Sequence, residues 1–536
     1  MGTAILQYEK ARNLLLFGET SFYFFSIDNW LLLISGLIAC LAFLILAIRK
    51  IESFIEKIRS RFMGSNFEIE EHTFPFIPFK SNGFMDGENT FLGLDKTNRP
   101  FWIDDEARSM HILALGRTGS GKSKLLQNMI YQGMCRNDKR GLIFIDGKGD
   151  KEERDIFCGM AKEANRLHEV KIIDFVEKDK SWIYNPLLVP DGLDPIIVAE
   201  KVYSIFKCSE EFYKNFQKSI FVPIFLLLHD VLGQFTFVEL YNAFENTDFR
   251  IKLLNECKDQ GLADSIRRKS KVMGKDFSKS LMGLEAWLSK YRSIPQLNRI
   301  PTEGDNNIVV DMAQELKNGG LVYIRLPFSL YPERSKDVGM LLLQEIQYLL
   351  GLRQAKGRDL KPFEIMADEF SKYAHENFID CINTSRSAKI YWTIATQTLA
   401  DLKKVSEEFA EGVWDNTRIK IALSQNNPDL VEKLSNELGT YQQVERTERN
   451  SNTLLGTKFS TGESSNRLVE SFVLHPNKIK NLHKHGQAYC IGNLLGIKDQ
   501  YIGINIGMLD VTPVEFTPDT KIFNIKTNIG GNYVFH

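Results

Sequence analysis

Residues Gly116-Arg117-Thr118-Gly119-Ser120-Gly121-Lys122-Ser123 spell G-x-x-x-x-G-K-S, and no other feature of the 536-residue chain constrains its fold as tightly. Such a loop curls its backbone N–H groups around phosphate oxygens when a buried strand delivers it and a helix N-terminus receives it. Both neighbours are present, as His111–Leu115 (HILAL) reads as a strand and Lys122–Cys135 as a helix. Downstream, Gly141–Asp146 and Val170–Phe175 read as strands and Glu152–Leu167 as a helix. After Asn307 the alternation resumes with NIVVDM, LVYIRL, a helix through Leu341–Leu350, FEIMAD, IYWTIAT and IKIALS. Strands alternating with helices predict an α/β fold, a doubly wound and mainly parallel sheet covered on both faces.

Other segments break this rhythm. Nearly every stretch of residues 191–300 reads as helix, which predicts an all-helical domain of about 100 residues inserted into the α/β domain. Residues 63–190 then hold a β-rich lead-in and the first part of that domain, and 301–536 hold its second part. The Ser/Thr/Asn-rich segment 442–467 reads as a mobile loop. Residues 1–62 read as a membrane anchor. Trp30–Ile48 is nineteen positions without a charge, apolar on every face, and spans most of a hydrocarbon core of about 30 Å. Residues 14–27 are apolar but broken by Gly18 and Glu19, so a short first membrane helix and an interfacial segment are both open. Arg49, Lys50, Lys57, Arg59 and Arg61 follow the anchor, against Lys10 and Arg12 before it, which places everything after Ile48 in the cytoplasm.

Charge and cysteine usage narrow the function. Lys plus Arg total 67 against 68 Asp plus Glu, a net charge of −1, so nucleic-acid binding by bulk charge is excluded and any such contact must be local. The seven cysteines are scattered with no C-x-x-C pair, which argues against a disulfide scaffold or zinc ribbon and suits a reducing compartment. His475, His483 and His485 lack metal-ligand spacing.

Chemistry concentrates at a few positions. Lys122 is placed to reach the β- and γ-phosphates of ATP, and Ser123 to hold Mg²⁺. Asp368 and Glu369 end the strand FEIMAD, about 245 residues beyond the loop, where parallel sheets gather their C-terminal ends in one crevice. Asp368 is then a second Mg²⁺ ligand and Glu369 the water-activating base, the bland alternative being a helix cap. Gln397, ending the next strand, suits a sensor of the γ-phosphate or attacking water, or a plain turn. Arg386 suits an arginine finger for a neighbouring subunit's site; from the residues alone Arg325 and Arg418 compete, and a surface salt bridge is open too. Asp146-Gly-Lys-Gly-Asp150 is a sharp turn presenting Lys148. Arg267, Arg268, Lys269 and Lys271 begin a basic stretch running to Arg292, interleaved with Phe277, Trp287 and Tyr291. It suits a DNA backbone or an ordinary solvated face.

In this order, the residues resemble type IV secretion coupling proteins of the TraD/TraG kind, in the FtsK/HerA-like branch of RecA-fold motor ATPases. The likeness lies in the anchor, HILALGRTGSGKS, DGKGD as D-x-K-G-[DE], Asn185-Pro186-Leu187, the helical insertion, MADEF, IATQT and FVLHPNKIKNLHKHGQAYCIGN. It implies a RecA-like hexamer with nucleotide between subunits, Arg386 as the trans finger, and substrate entering near the helical insertion. It further implies an inner-membrane ATPase that uses ATP and Mg²⁺ and partners secretion-channel components and a relaxase–DNA complex. The alternatives are effector or adaptor proteins as cargo, or a DNA translocase outside secretion. Many family members carry two clear membrane helices and a docking tail. Here the first helix is doubtful and the chain ends soon after its closing sheet, so docking is expected to use other surfaces or subunits.

Overall fold

The computed structural model describes residues 74–190, 192–206, 211–300, 309–356, 360–452, 458–492 and 500–516. The expected anchor, with its spans 14–27 and 30–48, lies outside the described residues. Among them, no single helix is long and apolar enough to cross a membrane.

The strands β1 (Thr90–Asp95) and β2 (Pro100–Ile103), helix α1 (Asp105–Ser109), β3 (Ile112–Leu115) and α2 (Lys122–Cys135) lead into β4 (Gly141–Asp146), α3 (Lys151–Glu163) and β5 (Val170–Asp174). Five helices follow: α4 (Pro195–Ser204), α5 (Glu211–Leu232), α6 (Phe237–Glu245), α7 (Thr247–Glu256) and α8 (Gln260–Arg292). The alternation returns with α9 (Met312–Asn318), β6 (Leu321–Arg325), α10 (Pro332–Lys356), β7 (Phe363–Ala367), α11 (Phe378–Ser385) and β8 (Ile390–Thr396). Then come α12 (Leu399–Lys403), α13 (Glu407–Asn416), β9 (Ile419–Leu423) and α14 (Pro428–Leu438). A hairpin, β10 (Thr440–Asn452) and β11 (Lys458–Phe472), precedes α15 (Pro476–Lys480), β12 (Gln487–Ile491) and β13 (Tyr501–Asn505).

Eleven strands form one sheet in the order β2-β1-β13-β12-β9-β3-β8-β7-β4-β6-β5. From β9 to β5 every neighbouring pair is parallel. Every residue of β3, β4, β6, β7, β8 and β9 is buried, as expected of strands covered on both faces. The apolar side chains on those faces, such as Ile143, Phe144, Ile365 and Trp392, are each worth about 1.5–3 kcal/mol of burial. The mainly parallel α/β sheet with a helical insertion is therefore as expected. The lead-in is not a separate module, because β1 pairs antiparallel with β13 and extends this sheet.

The helical segment α4–α8 leaves at the end of β5 and the chain returns at β6, its parallel neighbour. Its interior is aromatic: Phe221, Phe225, Phe235, Phe244, Trp287 and Tyr291 are buried together. Thr236 and Glu239 form a reciprocal capping box that starts α6. α8 breaks at Gly274, whose φ of 48° and ψ of −116° leave the helical region, a conformation open to glycine.

Two expectations are corrected. The described residues of NIVVDM, 309–312, form no strand: Val309 makes a single bridge to Ile183, and Asp311 caps α9 through the N–H groups of Ala313 and Gln314. A short polar side chain before an apolar turn favours a cap over a ladder. The segment 442–467 was expected to be a loop, but most of it lies in the antiparallel pair β10–β11, with Val444 opposite Leu468 and Gln443 opposite Val469. Tyr441, Val444 and Leu468 are exposed; a ribbon with no core behind it carries no buried-face signature, which is why its composition reads as loop.

Candidate nucleotide site

Register aligns the functional ends of four strands. Leu115 is level with Thr396, Ala367 with Ile394, and Ile145 with Ala367. The residues that follow (Gly116, Gln397, Asp368 and Asp146) therefore emerge along one edge of the sheet, although about 280 residues separate the first from the second.

The loop is built for backbone donation. Gly116 N–H donates to Thr396 O at 3.3 Å and Arg117 N–H to Ser424 O at 3.2 Å, tying the loop to β8 and to the end of β9. A Cβ on Gly116 would lie 2.4 Å from Ser120 Oγ, so glycine is required there. Gly121, with φ of 112°, opens α2 without any side-chain cap. By contrast, α3, α6, α9, α13 and α14 are capped by Asp150, Thr236, Asp311, Ser406 and Asn427. An uncapped helix start faces an anion with free donors and a positive dipole end. The hydroxyls of Ser120, Thr396 and Ser424 are buried around the loop without a hydrogen-bond partner, a polar lining that fits a phosphate group. Thr118 and Gly119 form the exposed turn at its tip. Lys122 folds back, its ammonium donating to Gly116 O and, at 3.4 Å, to Arg117 O. Burial lowers its pKa, against the attraction of Glu369 and Asp368.

The acidic strand end comes to the same place. Asp368 is 2 % exposed and held by its own N–H donating to Ile145 O at 3.0 Å. Glu369 adopts φ 49°, ψ 39°, a left-handed conformation that costs a non-glycine residue about 1–3 kcal/mol and is characteristic of functional sites. Gln397 Nε2 donates to both Glu369 carboxylate oxygens, at 3.3 and 3.2 Å. The structure thus brings together Lys122, Ser123, Asp368, Glu369 and Gln397. It does not bring Arg386 to them. Arg386 is exposed after α11, before the start of β8, and the seven residues of β8 put about 20 Å between it and Gln397. Of its competitors, Arg325 is consumed internally by Gly149 O and Asp174, and Arg418 is exposed beside the start of β9.

Sequence reasoning left DGKGD as a turn; each of its polar residues has a distinct task. Asp146 is fully buried and accepts from Lys148 N–H, Asp150 N–H and the Tyr323 hydroxyl, the last at 2.7 Å. Burial and the Asp368 charge raise its pKa, against those hydrogen bonds. Glu153 accepts from Gln127, and burial with the Asp146 charge pushes it up to about 8. Lys148 Nζ donates to Ser123 Oγ at 2.6 Å and pairs with Asp368 Oδ2 at 2.9 Å. Ser123 and Asp368 therefore already face one common cation position. Two oxygen ligands fit Mg²⁺, which takes few protein groups and completes its shell with phosphate and water. Among the described residues no three His, Cys, Asp or Glu form a metal cage. Gly486 was also missed. Its N–H donates to Ser120 O at 3.0 Å, and a Cβ on Gly121 would lie 2.9 Å from its nitrogen, so the closing segment backs the loop.

The basic stretch divides. Arg267 donates to Leu254 O and pairs with Asp264, and Lys269 donates to Ser219 O at 2.6 Å, so both staple α8 to its neighbours. Arg268 and Lys271 are exposed. Trp287 and Tyr291 lie in the helical core, which corrects their reading as aromatics interleaved on a nucleic-acid face.

Residues 362–484 match the family model described as the TraM recognition site of TraD and TraG. The Type 4 coupling protein DotL of Legionella pneumophila is 22% identical over 397 residues, 63% of this chain and 50% of that one. The chain spans about half the length of this curated relative. The plasmid coupling protein TrwB has been solved with the ATP analogue ADPNP (TM-score 0.55, 17% identity, 83% of this chain and 97% of that one). It has also been solved with ADP and Mg²⁺ (TM-score 0.53, 18% identity, 82% and 96%). The resemblance to TraD/TraG coupling proteins stands, and the fold is like that of TrwB.

Proposed function

We propose that this chain is a membrane-anchored motor ATPase acting as a type IV secretion coupling protein, which recruits relaxase-bound DNA to a secretion channel and drives its transfer. The observation that carries the reading is the convergence of Lys122, Ser123, Asp368, Glu369 and Gln397 on one uncapped helix start, from three separated segments. Mg²⁺ and ATP, when bound, would supply a γ-phosphoryl group open to attack by water. Lys122 leaves the Gly116 carbonyl to donate to phosphate oxygens, and the N–H groups of Thr118, Gly119, Gly121, Lys122 and Ser123 hold the rest, those of Gly116, Arg117 and Ser120 being bonded within the protein. Ser123 and Asp368 would hold the cation. Glu369 accepts a proton from water, and Gln397, already bonded to that carboxylate, reports whether the γ-phosphate is there.

Arg386 is out of reach of its own chain's loop and exposed, as a residue acting on a neighbouring subunit in a hexamer would be. Arg386→Ala is expected to lower turnover by about 10³-fold. Mixing it with Lys122→Ala subunits is expected to restore part of the activity, since some interfaces then pair an intact loop with an intact arginine. No recovery at any mixing ratio would return Arg386 to a structural role.

The test of the cargo is ATP turnover by the chain with and without single- and double-stranded DNA over a salt series. Stimulation that steepens as salt falls is expected, and neutralising Arg268 and Lys271 together is expected to reduce the slope of log affinity against log salt by about 2. The second reading, effector or adaptor proteins as cargo, is favoured by the internal use of Arg267 and Lys269 and by the net charge of −1. Turnover indifferent to DNA at every salt concentration would decide for it. Membrane anchoring through 30–48, an inner-membrane location and assembly with channel components belong to this same proposal.

A further inference from the structure

The turn Asp146–Asp150 is packed tightly against the site through its two glycines. A Cβ on Gly147 would lie 2.6 Å from Asp368 O, and one on Gly149 would lie 2.6 Å from Pro327 Cα. Arg325 Nε also donates to Gly149 O at 2.9 Å. From this fixed turn the Lys148 side chain reaches over to Ser123 Oγ and Asp368 Oδ2, 2.6 and 2.9 Å away. Those are the two oxygens assigned above to the cation. Three carboxyl groups surround that position, on Asp368, Asp146 and Glu153, the last two held by Tyr323 and Gln127. A compact ammonium on a flexible stem suits such a place better than a planar guanidinium. The Lys148 side chain is 39% exposed while that of Asp368 is 3% exposed, so the lysine can leave and the carboxylate cannot.

We propose that Lys148 is the resident counter-cation of the magnesium position. It neutralises Asp368 and keeps Ser123 and Asp368 at ligand spacing while the site is empty, and it must be expelled for a divalent cation to bind. A dication and an ammonium cannot share one pair of oxygens at under 3 Å, so cation loading and Lys148 departure are one exchange. The inference rests on the nucleotide-site reading proposed above, and it makes Lys148 a competitor that sets how much divalent cation the site demands.

The experiment is Mn²⁺ binding to the full chain at saturating ADP, followed by electron paramagnetic resonance, with thermal unfolding in EDTA alongside. Lys148→Met is expected to tighten Mn²⁺ binding about tenfold, the factor gained when a competitor holding the position nine-tenths of the time is removed. The same variant is expected to melt earlier than wild type in EDTA and to recover when Mn²⁺ and ADP are added together. Lys124→Met, which removes a charge beside Ser123 in sequence without vacating the position, is expected to change the affinity less than twofold. If Lys148→Met does not fold, Lys148→Gln carries the same expectation. Unchanged or weaker Mn²⁺ affinity, or equal tightening by Lys124→Met, would sink the proposal while leaving the nucleotide site intact. Wild-type chain that binds neither ADP nor Mn²⁺ would remove the nucleotide-site reading and this inference with it.

Discussion

Lys122→Ala is expected to weaken nucleotide binding by about 10²–10³-fold and to leave no measurable turnover, as removal of a preorganised charge from a water-poor site does. The expectation follows from where the ammonium lies. It is buried at the loop, its charge disfavoured by burial and supported by Glu369 and Asp368, with the Gly116 and Arg117 carbonyls as its hydrogen-bond partners. Incoming phosphates give that charge the partner it lacks, so binding and turnover both depend on it. Alanine also leaves two acidic side chains facing the phosphates with one cation fewer. Titration with a fluorescent ADP analogue measures the binding loss directly, and wild-type affinity in the variant would overturn the assignment of the loop.

Glu369→Gln is expected to behave differently, keeping nucleotide affinity within a few-fold while turnover drops by about 10²–10⁴-fold, the usual contribution of a general base. Glutamine preserves the length of the side chain and the same φ of 49° at that position, so the backbone cost is carried equally by both forms. The substitution therefore isolates the carboxylate's charge and basicity. Gln397 loses a charged acceptor but can still donate to the new amide oxygen. Phosphate release and ADP binding measured on the same preparation separate the two effects. Undiminished turnover would shift the base to another carboxyl group of the crevice, with Asp146 and Glu153, whose charges act on Lys148, as the candidates.

Much of this site is legible in one dimension because its parts are local. The phosphate loop is eight contiguous residues with an obligatory strand and helix beside it, and the glycine at 116 meets Ser120 of the same loop. Asp368, Glu369 and Gln397 are legible because buried parallel strands are recognisable as apolar runs, and chemistry collects at their C-terminal ends. The task of Lys148 was hidden for the opposite reason. Its partners, Ser123 and Asp368, lie 25 residues before it and 220 after it, and nothing in G-K-G says which carboxylate the ammonium will meet. Asp146 and Glu153 were equally silent, since a carboxylate at the end of a strand and another on a helix look like turn and surface residues until burial is known. The basic stretch misled in the other direction: charge on a helix is visible in sequence, but the carbonyls that absorb Arg267 and Lys269 belong to other helices.

The sequence by itself determined the fold class, the loop, its helix and the acidic and amide strand ends, because period, composition and contiguous motif are properties of neighbouring residues. Only the tertiary structure decided that β1, β2, β12 and β13 extend the parallel sheet as one antiparallel edge, that 442–467 lies largely within a ribbon, and that Arg386 is exposed at the opposite end of β8 from Gln397. It also placed the Lys148 ammonium between Ser123 Oγ and Asp368 Oδ2. Strand order, register and the direction a side chain takes across a crevice are set by which surfaces pack together, and packing is decided between segments hundreds of residues apart.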